Sequence, residues 1–344
     1  MEKKGTGIWF AVLSVMLAAL FCADILLGSE GISLGAIWDA LTGADRGAEG
    51  EITRSIIMKF RLPKAVVAVA AGAALSASGL QMQTFFRNPL AGPYVLGISS
   101  GASLGVALFL LGAPILGLSG HAGEVIRSLG MAGAAWVGSA VILLMVMAVS
   151  ARIKDIMAIL ILGIMFGSAA SAFVQILQYA SPEGALKSFV IWTMGSLGGV
   201  SESQLWVMLP VIGAGLLISV LLIKPLNIMM LGENYARTTG LSLPAVRTAI
   251  FVGTSLLAGS VTAFCGPIGF LGVAVPHMAR MLFSQADHRI VMPASMLMGA
   301  ALMLLSDIIA QMPWSDYTLP VNTVTALLGI PVIVIVIVRN RKIM

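Results

Sequence analysis

Four polar residues, Ser168, Ser171, Gln175 and Gln178, recur at i, i+3, i+7 and i+10 inside an otherwise apolar stretch. On a helix that spacing places all four side chains on one face. Hydroxyl and amide groups there can hydrogen-bond water or a polar solute, or they can join neighbouring helices; lipid can satisfy neither. The stripe is therefore either the wall of an aqueous path or a packing seam with Gly163 and Gly167 as close contacts. A second face, Gly72, Ser76, Gly79 and Gln83, is dominated by small residues and reads as helix packing.

Other groups with chemical potential resolve toward structure. Gly97-Ile98-Ser99-Ser100-Gly101 matches the Gly-x-Ser-x-Gly of a nucleophile elbow. An elbow needs a strand, a turn and a helix; here the surroundings are apolar helix, and Gly101 with Gly105 forms a Gly-x-x-x-Gly packing pair. An intramembrane serine hydrolase is thus the weaker alternative. No Lys follows a Gly anywhere, which excludes a P-loop, and the three histidines form no His-Glu-x-x-His. His277, between Pro276 and Arg280, reads as a hydrogen-bonded residue at a helix end and not as a metal ligand. Asp24 and Asp307 fall near the ends of apolar segments, where snorkelling or hydrogen bonding is preferred to proton relay. A proton-coupled secondary transporter would need them as relay groups. Cys22 and Cys265 are expected as buried, unpaired thiols.

Two polar surfaces remain. Arg61 and Lys64 bracket Leu62-Pro63 at a helix start, and their i, i+3 spacing aims both charges to one side at a membrane edge. They could meet an acidic partner or simply anchor the helix at the interface. Residues 226–241 form a short amphipathic segment interrupted by Gly232 and Gly240, too polar to span. It is either a surface helix that another protein grips or one lying on the headgroups.

The elements that must position these groups follow from composition. The chain is 58% hydrophobic and only 10% charged, against roughly 25% charged in soluble chains. Apolar runs of about 20 residues, enough for a bilayer core, recur throughout. Ten spans are expected, near 8–28, 62–84, 93–111, 122–149, 153–180, 203–224, 244–264, 269–284, 289–312 and 320–339. Segment 29–61 is then an outer loop with short structure of its own. The first span is too long for a signal peptide and lacks its cleavage site, so it is kept as a span. Lys and Arg concentrate on the side of the termini (Lys3, Lys4, Arg152, Lys224, Arg237, Arg247, Arg280, Arg289, Arg339), which places both termini in the cytoplasm. The net charge of +5 reflects this topology and not nucleic-acid binding.

The spans carry an internal echo. Leu62-Pro63 and Leu243-Pro244 each open a long apolar segment, and aligning them superposes Gly72 on Gly253 and Leu75 on Leu256. Each segment ends in a Gly/Pro break, at Arg87–Pro93 and at Cys265–Phe270. Repeat units five spans apart insert in opposite orientations, the arrangement of many transporters. The expectation is one transmembrane domain over 1–344, with halves at about 62–180 and 244–339.

R-L-P-K, R-N-P-L-A-G-P-Y-V-L-G-I-S-S-G-A, W-T-M-G-S-L, L-G-E-N-Y-A-R-T-T-G-L and G-P-I-G-F-L-G-V-A-V-P-H-M-A-R, in this order from about residue 50, resemble the FecCD family. Its members are ten-span, type II permease subunits of ABC importers for ferric siderophores, haem and cobalamin in the bacterial cytoplasmic (inner) membrane. The resemblance implies a permease homodimer, two cytoplasmic ATPase subunits that bind ATP and Mg, an external binding protein, and no cofactor in this chain. The mechanism expected of such a dimer is alternating access, with substrate passing between the two copies. By position, Gly232, Glu233, Asn234, Tyr235, Ala236 and Arg237 resemble the coupling segment that docks in the ATPase. The fifth span, with Ser150 to Lys154 before it and including Arg152, resembles the pathway wall and cytoplasmic gate. Arg61 and Lys64 resemble the basic residues that meet the binding protein. Lys64 departs from a usual Arg and loses its bidentate fork. Gln311 stands where the family often has another docking Arg, and Thr318-Leu319-Pro320-Val321-Asn322 replaces Glu-Leu-Pro-x-Gly. The substrate itself is not encoded in these residues.

Overall fold

The computed structural model describes residues 2–27, 35, 38–39, 48–112, 124–153, 155–312 and 317–340. Among them every regular element is helical. Seven runs are long and apolar enough to cross a membrane: Gly5–Leu26, Gly50–Phe86, Gly130–Ser150, Ile156–Ala180, Glu202–Leu221, Leu243–Cys265 and His288–Gln311. Three shorter apolar runs, Ile98–Gly112, Leu271–Phe283 and Val321–Val336, match the remaining expected spans. The protein is an all-α polytopic membrane protein.

In chain order the helices are α1 (Glu2–Leu26), α2 (Ala48–Ile56), α3 (Leu62–Phe86), α4 (Ile98–Ala107), α5 (Glu124–Ser150) and α6 (Ile156–Ala180). Then come α7 (Glu183–Thr193), α8 (Glu202–Leu221), α9 (Ile223–Met230), α10 (Glu233–Thr238) and α11 (Leu243–Thr254). The last four are α12 (Ser260–Cys265), α13 (Leu271–Phe283), α14 (His288–Gln311) and α15 (Val321–Asn340). Asp24, near the end of α1, meets Gln311 at the end of α14. Phe10, nearer the start of α1, packs on Phe283 at the end of α13, and Asn227 of α9 bonds Asp287 before the start of α14. The start of α1 therefore shares a face with α9.

The outer loop expected over 29–61 needs correcting at its end. Residues 48–61 are helical and run without interruption into α3 through a π-turn at Ile57–Arg61. The cause is Pro63. It has no N–H to give to the carbonyl four residues back, and its ring crowds that carbonyl. The preceding turn widens, and Leu62 N–H reaches Ile57 O. In the second half, Leu243-Pro244 does open a helix, with Pro in the first turn, where no N–H is needed.

Helix α3 is the central element. Nearly nine-tenths of its span is buried although its mean hydropathy is modest, whereas the first span is more apolar and mostly exposed. In lipid, hydrophobicity gives helices no reason to associate; close packing of small residues does. A Cβ added to Gly79 would collide with the Gly272 carbonyl of α13, and one at Gly72 with the Gly299 carbonyl of α14. Helices α4 and α5 meet in the same way, Gly101 and Gly105 lying against the Gly138 and Ala134 carbonyls. The packing readings of both small-residue faces therefore hold. The two breaks differ in form: Arg87 is left-handed at φ 47, while Gly266 (φ 76) and Phe270 (φ 67) make the second reversal. Cys265 is buried, but Cys22 is exposed on α1, which corrects the expectation of two buried thiols.

Candidate translocation groove and coupling surface

Helix α6 begins where Asp155 accepts the backbone N–H of Met157 at 2.9 Å, an N-cap that ends the turn from α5. The helix packs through a narrow line of Ile159, Gly163, Gly167, Ala170 and Val174. Its small residues sit on the 3-10 turn at Pro93–Leu96 and on Gly97, whose φ of 76 and tight approach to the Gly163 carbonyl both require glycine. The polar stripe falls off this line. Ser168, Ser171 and Gln175 are exposed and Gln178 is half-buried. With Tyr94, Ser100 and Gly167 the first three line an open groove of about 520 Å³. Ser168 Oγ donates to Ile164 O of its own helix. Among the described residues, then, no other helix covers Ser168, Ser171 or Gln175. Ser99 and Ser100 lie in the first turn of α4, with no strand before them, so no elbow is formed.

At the foot of α6, Ser150 is buried and its hydroxyl donates to Met147 O, while Arg152 is exposed. Lys154 lies outside the described residues. A cavity of about 560 Å³ separates this turn from α10; Phe86, Arg87, Asp155, Gly232, Asn234 and Tyr235 contribute to its walls. Helix α10 is short and held at both ends. Gly232, at φ 116, turns the chain into it, Ala236 is fully buried, and Leu241 N–H bonds Ala236 O across the left-handed Gly240. Asn234, Tyr235 and Arg237 project outward. Glu233 belongs to the helix, and its side chain lies outside the described residues.

On the opposite face both members of the basic pair have partners within the chain. Arg61 is buried, and its Nη1 donates to Ile25 O at 2.9 Å and Leu26 O at 3.1 Å. These carbonyls end α1, where helical backbones leave acceptors unpaired and partial negative charge gathers. Lys64 Nζ lies 2.8 Å from Asp307 Oδ2, both side chains being largely buried. Gln311 Nε2 donates to Asp307 Oδ2 and to Asp24 Oδ1, each at 2.9 Å. Of the three residues expected to dock a partner, Arg61 is buried and Lys64 and Gln311 are half-buried, each with partners inside the chain. Arg61 caps the end of α1, while Lys64 and Gln311 bridge to the two acids on α1 and α14. Asp24 and Asp307 are hydrogen-bonded and do not snorkel. Asn322, at one of the departures, accepts the Gly269 N–H at 2.9 Å and ties α15 to the Gly266–Phe270 reversal. His277 Nε2 sits 2.6 Å from Pro89 O, a hydrogen-bonded role at the first break.

These positions can be compared with known proteins. The profile of the FecCD transport family matches residues 16–339. The chain belongs to the FecCD transport family. The vitamin B12 import system permease protein BtuC of Citrobacter koseri is 33% identical over 334 residues, covering 97% of this chain and 95% of that one. The same permease of Klebsiella pneumoniae is 35% identical over 345 residues, covering 99% and 96%. A solved metal-chelate type ABC transporter, in an inward-facing conformation, superposes with a TM-score of 0.82 at 29% identity, over 97% of this chain and 99% of that one. PsaBC from Streptococcus pneumoniae shares the fold alone, at a TM-score of 0.51 and 17% identity. This FecCD chain is therefore a multi-span permease subunit of an ABC importer, a transport protein and not an enzyme.

Two groups escaped the sequence reading. In the sequence Arg247 reads only as a positive charge of the terminal face, yet its Nη1 donates to Ser150 O at 3.0 Å and Ile153 O at 3.1 Å. His288 joins Asn227 and Thr84, its Nε2 lying 2.8 Å from Thr84 Oγ1 and its Nδ1 2.7 Å from Asn227 Oδ1. Both networks link residues some 60 to 200 positions apart, and no spacing along one helix reveals such pairs.

Proposed function

We propose that this permease carries a metal chelate, with cobalamin the first candidate, from an external binding protein to the cytoplasm, along a path between two copies of the chain. The observation that carries this reading is the α6 stripe. Ser168, Ser171 and Gln175 stand open to a groove within a membrane-spanning helix, where polar groups need water, solute or protein. A second copy related by a two-fold axis would set two such grooves face to face. The cobalamin preference rests on the names of the B12 permeases that match over nearly the whole chain.

The face with both termini is read as cytoplasmic, from its Lys and Arg excess. There α10 would seat in a partner ATPase, which binds ATP and Mg, and the α5–α6 turn around Ser150 and Arg152 would gate the path. A docked binding protein can favour the outward state only by binding it more tightly. Cysteines at Ser168, Ser171 and Gln175, placed in a background lacking Cys22 and Cys265, should react with water-soluble thiol reagents in at least one nucleotide state. Inertness at all three throughout the cycle would remove the pathway role. ATP-driven uptake into vesicles, comparing cobalamin, haem and ferric siderophores, tests the substrate: cobalamin uptake is expected, and transport of another chelate alone would replace it.

A further inference from the structure

Helix α5 ends at Ser150, whose carbonyl has no donor from a following helical turn and accepts the Ile153 N–H at 3.3 Å. Arg247, in the first turns of α11, supplies a second donor to it. Its Nη1 spans Ser150 O and Ile153 O, before and after the exposed pair Ala151 and Arg152. A guanidinium at a helix C-terminus meets both the orphan acceptors and the negative end of the helix dipole. The same guanidinium lies 5.9 Å from the centre of the Phe85 ring, and that ring packs edge-on against Phe86 and Phe251. One side chain therefore joins α11, the α5–α6 turn and the end of α3.

Its position along the chain gives this contact a direction. Only residues 239–242 separate α10 from α11, and the Leu241–Ala236 hydrogen bond closes that connection. A displacement of α10 must carry the start of α11 with it. On the other side, α9 is pinned to the scaffold. Asn227 Nδ2 donates to Asp287 Oδ1 at 2.6 Å, and Asn227 Oδ1 accepts the His288 backbone N–H at 2.9 Å. The segment 226–241 is thus held to α14 at its front and to the α5–α6 turn at its back. A cavity of about 430 Å³, walled by Ser150, Ile153, Leu241, Leu243 and Thr248, lies beside the rear attachment and leaves it room to move.

We propose that Arg247 is the positioning residue that transmits displacement of the α10 segment to the α5–α6 turn, with Asn227 as the pivot. The proposal rests on the reading of α10 as the ATPase-coupling element and of the α5–α6 turn as the gate. It makes the link a pair of hydrogen bonds, not general packing, so a side chain that cannot span both carbonyls should break transmission while leaving the engine running.

The test uses the full complex with ATPase subunits and binding protein in liposomes. Spin-label pairs at Thr238/Met281 and Ala151/Met281 report α10 and the turn against α13, in a background with Cys22 and Cys265 replaced. In the otherwise unaltered chain, ATP and Mg should shift both distances together. If neither moves there, the coupling reading fails and the link with it. In Arg247→Gln the Thr238 shift and ATP hydrolysis should persist while the Ala151 shift is lost. Arg247→Lys keeps the charge and can reach one carbonyl, so its Ala151 shift should be reduced but present. If the Ala151 shift stays at its full size in both variants while Thr238 still moves, the link alone is overturned.

Discussion

Removing the Lys64 ammonium should destabilise this permease sharply, and removing its partner as well should restore most of the loss. Lys64 Nζ and Asp307 Oδ2 are 2.8 Å apart, with side chains 17% and 5% exposed. At an effective dielectric constant near 20, their attraction is ~6 kcal/mol. Desolvating the two ions costs several kcal/mol each, so the pair contributes little net stability. Lys64→Met keeps that cost for Asp307 and deletes the compensation. Gln311 then remains as the donor shared by both acids, and Asp24 Oδ2 already lacks a partner among the described residues. The expected loss is ~3–5 kcal/mol. In Lys64→Met/Asp307→Asn both charges of that pair are gone, and the new amide can donate to the neighbouring Asp24. That variant should lie within ~1 kcal/mol of the parent, because a neutral hydrogen-bonded replacement avoids the desolvation cost. Reversible unfolding in mixed micelles, run as a double-mutant cycle, measures both. Additive losses, or a single variant indistinguishable from the parent, would refute the internal role. Loss of binding-protein affinity with unchanged stability would return Lys64 to the surface.

Gly79→Ala places a methyl against the Gly272 carbonyl; since backbone blocks it, the cost should reach the upper part of the ~1–3 kcal/mol typical of overpacking, seen as a lowered Tm. Replacing Asn234 and Tyr235 together with alanine should leave the fold intact, as both are exposed, but lower transport per ATP hydrolysed; unchanged coupled uptake would remove α10 from the ATPase contact. The Arg289 N–H, above all, holds the Asp287 carboxyl below its usual value of 3.8, with the Asn227 amide adding to it. A depressed carboxylate stabilises the fold above the unfolded-state pKa and loses that contribution as pH falls through the folded value. Amide exchange at the start of α14 should therefore quicken as pH drops below about 4, after correction for intrinsic rates, and Asp287→Asn should flatten the response.

Much of the architecture was legible because membrane helices must satisfy their backbone internally and must be long and apolar. The small residues at Gly72, Gly79, Gly101 and Gly105 marked contacts that the structure indeed brings to collision distance. The Ser168-to-Gln178 face was legible too, though not its exposure, since a polar stripe looks the same whether it lines a groove or a seam. Less legible was Pro63. Its missing N–H could start a helix or widen one, and the difference depends on whether residues 48–61 are helical. The terminal-face charges were visible, but Arg247 could not be told from an interfacial anchor.

What the sequence alone determined is local or periodic: the number of spans, the small-residue faces, the polar stripe, the two breaks and the motifs of the FecCD transport family. Tertiary structure alone decided which charges face one another. Arg61, Lys64 and Gln311 took partners within the chain because α1 and α14 bring carbonyls, Asp24 and Asp307 beside them. A buried charge takes whatever partner the packing supplies, and no spacing along its own helix records who that partner will be.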